Sequence, residues 1–306
     1  MFKKLILLTS ILSTSLLAFN YDLKPKKITN DVWCFLGDLN APTVKNGGFM
    51  SNSCYIKTEE SYVLVDTGSN YLFAKQAYES MSKIEKLPVS HVIITHSHDD
   101  HWLGNNFYKE KFNSKIIGPS NINKEHEVGQ KTRMMNLLPE DIMINTKVIK
   151  VDTEIIEATS LTVNDKKIDI LPVGFKAHTS NDLLIFLEKE KVMFTGDVVM
   201  NGRITSTRDG SLIGQIKALN KIDSIEWEYL VAGHGYDTSK TATKEIRKYF
   251  TLLKERILES IEDEVEAGNI SKIVTLKEFK DLAMYDIFNS RNIFDAFGEL
   301  EFYEEE

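Results

Sequence analysis

Short apolar runs alternate with amphipathic segments along most of the chain. Compact runs at 31–36, Ser53–Lys57, Tyr62–Val65 and 89–95 predict strands, and apolar positions from about 73 to 84 recur at helical spacing. Weaker patterns predict further strands at 116–117, 147–151, 168–173, 183–187, 192–194 and 229–231, and a helix at 212–219. Because strands alternate with helices, the pattern favours a layered α/β structure.

The hydrophobic pattern changes after residue 238. Six apolar residues recur at helical spacing and predict one long amphipathic helix: Ile246, Phe250, Leu253, Ile257, Ile261 and Val265. A second helical pattern covers 279–297. We therefore divide the chain into a leader at 1–18, a main domain at 19–238 and a helical C-terminal extension at 239–306. The extension either covers an active-site edge or contributes to a dimer, and the oligomeric state stays open.

The first residues have the pattern of a secretory signal peptide. Lys3 and Lys4 precede about fourteen mostly apolar residues at 5–18, a stretch too short to span a bilayer comfortably. The pattern predicts a periplasmic or secreted protein whose mature chain has no integral membrane span. An uncleaved anchor is the alternative, because Leu16 stands where cleavage sites have a small residue.

Export also bears on the two cysteines, since exported proteins are free to form disulfides. Cys34 and Cys54 lie in apolar segments that could pair as a hairpin. Two alternatives stay open at this point: a bridge between them or two separately buried thiols.

Composition and charge narrow the range of partners. With 42% apolar and 27% charged residues among 306, the composition is that of a globular protein. The formal net charge is −8, and loss of the lysines in the leader makes the mature chain more acidic. Because a protein that binds nucleic acid needs a cationic surface, no nucleic-acid partner is expected and a small-molecule substrate is favoured.

The strongest chemical signal is a cluster of histidines. Three of the seven in the chain fall in the string H-x-H-x-D-H at 96–101, directly after a predicted strand. Where a strand breaks into a turn, positions i and i+2 can both point beyond its end, so His96 and His98 can bind one ion. Asp100 and His101, in the first turn of the following helix, can then face a second ion. Imidazole and carboxylate at this density suit zinc.

Four donors do not complete two tetrahedral sites, so further ligands must come from downstream. His178, Asp197 and His234 each follow an apolar strand-like run, where they can reach the same edge of a sheet. The chain thus offers seven ligands, whereas a structural zinc site is usually closed by four.

These residues and their order resemble the metallo-β-lactamase superfamily of metal-dependent hydrolases. The resemblance runs from about Gly47 to Gly235 and includes Asp66-Thr67-Gly68, the H-x-H-x-D-H string, Thr195-Gly196-Asp197 and Gly233-His234-Gly235. It implies an α/β fold, a four-layered αββα sandwich with the metals at one edge. Carried over by position, it implies His96, His98 and His178 for the first zinc, Asp100, His101 and His234 for the second, and Asp197 between them.

Within the superfamily, the ligand set is similar to that of glyoxalase II, lactonase and alkylsulfatase relatives. Asp197 stands where many true β-lactamases have Cys or no bridging carboxylate, and His98 stands where flavodiiron proteins have Glu. Ala177 replaces the Gly that usually begins the third-histidine motif. The segment 201–203, the leader and the helical tail resemble periplasmic members associated with quinoprotein and sulfur-oxidation systems.

The resemblance implies a mechanism. Two zinc ions sharing a hydroxide would attack an ester, thioester, lactone, amide or sulfate-type substrate, with Asp100 as general acid/base through its free carboxylate oxygen. Iron in place of zinc is an open possibility. The alternatives are a mono-iron oxidoreductase similar to persulfide dioxygenases, a true β-lactamase, a non-catalytic metal-binding module and a nuclease, the last disfavoured by the acidic charge.

Other residues receive supporting roles. Asp66 follows a buried strand, where it can cap the turn and can also orient a ligand imidazole or the metal loop. Arg203, with Arg208, is a candidate for binding an anionic substrate group, with a surface position or an ordinary ion pair as the competing interpretation. The segments expected to contact substrate are the loop at 37–51, whose tip at 47–50 could fold over the metals, and the stretch 201–214.

Overall fold

The computed structural model of the protein describes residues 19–303, so the predicted leader at 1–18 lies outside the described residues. One sheet has the spatial order β1 (Lys26–Lys27), β2 (Val32–Phe35), β3 (Ser53–Lys57), β4 (Tyr62–Val65), β5 (Val89–Ile93), β6 (Lys115–Pro119) and β7 (Thr153–Ile155). The other, which we call the second sheet, has the order β12 (Tyr229–Val231), β11 (Val192–Phe194), β10 (Leu183–Leu187), β9 (Lys166–Pro172) and β8 (Thr159–Val163). The α-helices are α1 (Tyr71–Met81), α2 (Asp99–Trp102), α3 (Asn105–Phe112), α4 (Ile122–Glu125), α5 (Arg133–Leu137), α6 (Leu212–Asp223), α7 (Lys244–Glu262), α8 (Ile270–Ile273) and α9 (Tyr285–Leu300).

Each strand contributes side chains to two layers of the core, because successive residues of a strand point to opposite faces of the sheet. In β4, Tyr62 and Leu64 pack with helix α1, whereas Val63 and Val65 pack against the second sheet. The outer face of the second sheet is covered in the same way by α6, α7 and α9. The result is a four-layered αββα sandwich, which confirms the predicted fold class.

The C-terminal helices are part of the helical layer that covers the second sheet. The predicted amphipathic pattern forms α7, whose buried residues Ile246, Phe250 and Leu253 share one apolar cluster with Leu184 and Met193 of the second sheet. Helix α9 joins the same cluster, so the extension completes a layer of the sandwich. Among the helices at 19–303, none combines the length and apolarity needed to cross a bilayer.

The two cysteines lie directly opposite each other in the sheet. Strands β2 and β3 pair antiparallel with Cys34 facing Cys54, and a disulfide joins the two residues. The bridge lies in the apolar core between the sheets. Of the two alternatives left open by the sequence, the bridged one is therefore correct.

The structure differs from the sequence prediction in its middle part. The run at 147–151 is not a strand. Val148 and Val151 pack in the apolar cluster beneath α1 and α3, and pairing with β6 begins only at Thr153. Strand β8 was not predicted, since three of its five residues are exposed at the sheet edge and only Leu161 and Val163 pack towards the core. The helix predicted from 279 begins at Tyr285, after a single 3-10 turn at Lys277–Phe279.

Candidate metal centre

The predicted ligands lie where strands end. Strand β5 leads into His96, β11 into Asp197 and β12 into His234. Strands β11 and β12 run parallel, so their carboxyl ends share one edge of the sandwich. His178 reaches the same edge from the loop between β9 and β10, and Asp182, at the end of that loop, accepts a hydrogen bond from the backbone N–H of His178.

The donor atoms form two groups, within each of which they lie no more than 4.8 Å apart. The first group is His96, His98, His178 and Asp197, and the second is Asp100, His101 and His234. All of these residues except His98 are buried. The structure therefore brings together all seven residues that the sequence predicts as ligands, in the grouping that the resemblance implies.

Asp197 lies between the two groups. Its Oδ2 is 3.5 Å from Nε2 of His96 and 3.3 Å from Nε2 of His178, and its Oδ1 is 3.2 Å from Nε2 of His101. Nε2 of His234 is 3.4 Å from the same Oδ2. One carboxylate thus reaches imidazoles of both groups, which is the place of a bridging ligand.

Three buried polar atoms at this point have no hydrogen-bond partner within residues 19–303. They are Nε2 of His96, Nε2 of His101 and Oδ1 of Asp197. Leaving a buried polar atom unsatisfied is costly, so each such atom calls for an explanation. Imidazole nitrogen and carboxylate oxygen are zinc ligands. The donor set therefore fits a dinuclear metal centre.

Burial and neighbouring charges shift the pKa of four of these groups. Burial opposes the ionised forms of Asp100 and Asp197, but neighbouring imidazoles outweigh it and hold the pKa of both carboxyls well below the usual range. Burial, together with the neighbouring His101, lowers the pKa of His96. Burial also acts against a charge on His101, but the surrounding carboxylates, Asp197 and Asp66 foremost, raise its pKa. Ionised carboxylate and neutral imidazole are the metal-binding forms, so the shifts at Asp100, Asp197 and His96 favour metal binding, whereas a metal bound by His101 would have to displace a proton.

Asp66 orients two ligand imidazoles from the side that faces away from the site. Its backbone has a φ of 57°, in the left-handed region that Asp tolerates better than most residues. Oδ2 is 2.7 Å from Nδ1 of His101 and accepts a hydrogen bond from Oγ1 of Thr95, which lies 3.0 Å from Nδ1 of His96. Asp66 thus fixes one imidazole directly and one through Thr95, so that both Nε2 atoms face the site.

His234 is held by the loop that precedes β3. Its Nδ1 lies 2.6 Å from the carbonyl oxygen of Met50, and donation there leaves Nε2 unprotonated. The rest of the loop tip does not fold over the donors as expected. Phe49 stacks against Phe73 of α1, and Tyr21 donates to the carbonyl of Gly47, so the tip is anchored on the helix side.

No sequence pattern marks Arg133, which begins α5 after a polar, aperiodic stretch. Its Nη2 donates to Oδ1 of Asp100 at 2.9 Å and to Oδ1 of Asp99 at 3.0 Å. The oxygen of Asp100 that was expected to be free for proton transfer is therefore bound by a guanidinium. Only this long-range contact identifies Arg133 as part of the site.

A cavity of about 130 Å³ opens beside the donors. The predicted segment 201–214 lines it with Arg203, Ser206, Arg208 and Asp209, and Met50 contributes from the loop at 37–51. Arg203 is only 3% exposed, with Nη1 3.2 Å from Nδ1 of His234. A surface position for Arg203 is therefore wrong. Arg208, in contrast, is exposed and pairs with Asp209 at 2.6 Å.

Fold and site together define an αββα protein with a two-group metal centre at a sheet edge. Residues 46–234 match the family model of the metallo-β-lactamase superfamily, and the chain belongs to that superfamily. No protein of curated function matches the chain. The superfamily consists mostly of metal-dependent hydrolases, and the two donor groups fit its dinuclear centre.

Solved structures show the same fold at low sequence identity. A metallo-β-lactamase from Pontibacter korlensis is 18% identical with a TM-score of 0.59, and the match covers 75% of this chain and 99% of that one. The FIM-1 metallo-β-lactamase from Pseudomonas aeruginosa, in its mono-zinc form, is 18% identical with a TM-score of 0.57, covering 75% and 95%. A metallo-β-lactamase from Hirschia baltica is 16% identical with a TM-score of 0.56, covering 75% and 97%. At these identities the likeness establishes the fold alone.

Proposed function

We propose that the protein is a dinuclear zinc hydrolase of a small ester, thioester, lactone, amide or sulfate-type substrate. The observation that carries the proposal is the arrangement of seven His and Asp donors in two groups, with Asp197 within reach of imidazoles of both. A structural zinc site is closed by four ligands and needs no second group.

Zinc is proposed because the donors are imidazoles and carboxylates, although iron accepts the same set. The cysteines are joined in a disulfide and offer no thiolate. When bound, zinc supplies a water of lowered pKa as nucleophile and polarises the substrate oxygen. Asp197 at the central position supports chemistry like that of glyoxalase II, lactonase or alkylsulfatase relatives over β-lactam hydrolysis.

The chain's own residues orient the ligands and handle the proton. Asp66 and Thr95 hold the imidazoles of His101 and His96 with Nε2 towards the site. Asp100 is the candidate for moving a proton, and the imidazoles of His101 and His234, together with the Arg133 guanidinium at its Oδ1, keep it in the ionised form.

Metal analysis combined with a substrate panel tests the proposal. We expect about two zinc per chain and hydrolysis of at least one member of a panel of esters, thioesters, lactones, sulfate esters and β-lactams. His96→Ala should lose both metal and activity. His91→Ala is the matched control, because His91 lies on the same strand, β5, beside Ser90 and outside both donor groups.

Other outcomes redirect the proposal. One iron per chain with oxygen consumption would support a mono-iron oxidoreductase. Stoichiometric zinc without turnover of any panel member would support a non-catalytic metal-binding module, and full activity in His96→Ala would contradict the assigned centre.

We also propose that the protein works in the periplasm or as a secreted protein. The leader pattern at 1–18 supports export, and so does the Cys34–Cys54 disulfide, because disulfides persist in oxidising compartments. N-terminal sequencing of protein from fractionated cells should find a mature chain that begins near residue 19. An intact Met1 in the cytoplasmic fraction would contradict export.

A further inference from the structure

Three of the six arginines in the chain converge on the candidate metal centre. Arg133 comes from α5, Arg203 and Arg208 come from the segment after β11, and all three line the same cavity, which has no lysine in its lining. We call these three the arginine cluster. The remaining arginines lie on the C-terminal helices in ordinary ion pairs: Arg247, Arg256 and Arg291. Arginine is the side chain suited to two-point binding of planar oxyanions.

Arg203, the inner member of the cluster, has no ionic partner among residues 19–303. It is almost fully buried, and its Nε has no hydrogen-bond partner in that range. Its Nη1 faces Nδ1 of His234, but the proton on that nitrogen is directed to the carbonyl of Met50. A buried, unpaired charge is costly, and a bound anion would remove the cost.

The two outer members, Arg133 and Arg208, are about half exposed, and each has guanidinium N–H groups that remain available to a ligand. Arg133 uses Nε and Nη2 on Asp99 and Asp100, and Arg208 uses Nε and Nη2 on Asp209. In the described part of the chain, no hydrogen bond uses Nη1 of either arginine. The carboxylates therefore fix both guanidiniums in place and leave one edge of each available to a ligand.

The cluster is not needed to balance the charge of the ligands. Asp100 and Asp197 would be neutralised by the dications that their groups are suited to bind. Three guanidiniums lining one cavity of about 130 Å³ therefore leave positive charge there that a bound anion would balance.

We infer that the arginine cluster binds an oxyanionic group of the substrate, a carboxylate, sulfonate or phosphate, next to the bond that is hydrolysed. The inference rests on the proposed hydrolase function and adds a substrate class to it: anionic small molecules. Arg203 forms the floor of this anion site, and Nη1 of Arg133 and of Arg208 form its rim.

A matched pair of esters tests the inference. The p-nitrophenyl ester of succinic acid keeps a free carboxylate, and its methyl ester lacks that charge. We expect the zinc-loaded wild type to have a higher kcat/KM for the anionic ester. In Arg208→Gln this preference should fall roughly tenfold, the size of one lost charge-assisted hydrogen bond. Arg291→Gln is the control, since Arg291 is equally exposed and pairs with Asp295 away from the cavity.

A binding measurement separates this inference from the proposed function. Calorimetric titration with monomethyl succinate should show weaker binding to Arg208→Gln than to wild type and Arg291→Gln, whether or not either ester is hydrolysed. If neither ester turns over but this difference is seen, the anion site stands without the hydrolase. If both esters turn over equally well, the anion site is wrong and the hydrolase stands. If Arg208→Gln and Arg291→Gln behave alike in both assays, the anion site is wrong whether or not the esters are hydrolysed.

Discussion

Oδ2 of Asp66 and Nδ1 of His101 lie 2.7 Å apart, both fully enclosed at the end of β4. The contact joins a residue in the left-handed backbone region to an imidazole of the second donor group. Because Nδ1 donates to Asp66, Nε2 of His101 is left as the metal-binding nitrogen. The position of one carboxylate therefore decides which nitrogen faces the site.

We expect Asp66→Asn to weaken metal binding about 10- to 100-fold, because the charge that orients and polarises His101 is lost. Asparagine tolerates the left-handed backbone, so the turn itself should persist. Zinc affinity measured by competition with a chelator checks the prediction. Asp22→Asn is the matched control, since Asp22 has a φ of 47° but lies exposed outside the site. Equal zinc affinity in the two variants would contradict the role of Asp66.

Most of the site could be predicted because its ligands are tied to the sequence pattern. His96, Asp197 and His234 each follow an apolar strand, and strand ends at one sheet edge meet in space. Arg133 could not be found in this way, since it reaches Asp100 from a short helix in an aperiodic stretch. Its role depends on a tertiary contact that no local pattern encodes.

Gly233 offers a test of how closely the backbone approaches the site. A Cβ added there would lie 2.0 Å from Oδ1 of Asp197 and 2.6 Å from the backbone carbon of Gly196, so Gly233→Ala must displace Asp197. We expect a loss of bound metal, measured by elemental analysis, with a cooperative thermal transition retained. Gly298→Ala, on α9 with no atom within 4 Å of the added Cβ, should keep its metal. Wild-type metal content in Gly233→Ala would show that Asp197 is not confined there.

Two side chains that belong to neither donor group hold the turn between His96 and His98; we call this contact the clamp. The carbonyl of Ser97, between His96 and His98, lies 2.6 Å from Nε2 of His126 and accepts a hydrogen bond from the Trp102 indole at 2.9 Å. No sequence pattern near His126 indicates this contact.

We expect His126→Phe to lower zinc affinity by up to about tenfold, because the ring is kept but its hydrogen bond to the Ser97 carbonyl is lost. His126→Gln, which retains a donor, should restore part of the affinity. His91→Phe controls for the loss of a histidine outside both donor groups. A shift of equal size in all three variants would mean that the clamp does not position the ligands.

The fold was predictable where burial imposes a periodic pattern, as in β4, whose four residues are all buried between two layers. It was not predictable at the edge of the second sheet. Strand β8 has mostly exposed residues, and its apolar face consists only of Leu161 and Val163, which pack towards the core between the sheets. The run at 147–151 is the opposite case: Val148 and Val151 are buried by helices and need no strand partner.

Asp152, just before β7, explains where pairing with β6 starts and gives a pH-dependent prediction. Its carboxylate accepts hydrogen bonds from Nζ of Lys109 at 2.8 Å and from the N–H of Ile116 at 2.7 Å. Burial opposes the charge, but these hydrogen bonds outweigh it and lower the pKa of Asp152. A carboxyl whose pKa is lower in the folded state stabilises the fold above its unfolded pKa of about 3.9, and this contribution is lost as the pH falls through the folded value.

Asp152→Asn should therefore lower the free energy of unfolding by at most about 1 kcal/mol at pH 7, since the group is partly exposed and solvent screens the pair. The difference from wild type should shrink as the pH falls below about 4, where the aspartate itself becomes neutral. Urea unfolding of the wild type and the variant at pH 7, 5 and 3.5 measures this difference in the free energy of unfolding. Asp281→Asn, at an exposed aspartate with no ion pair in the described part of the chain, should show no such trend. If the difference stays constant with pH, the loss comes from packing rather than from the charge of Asp152.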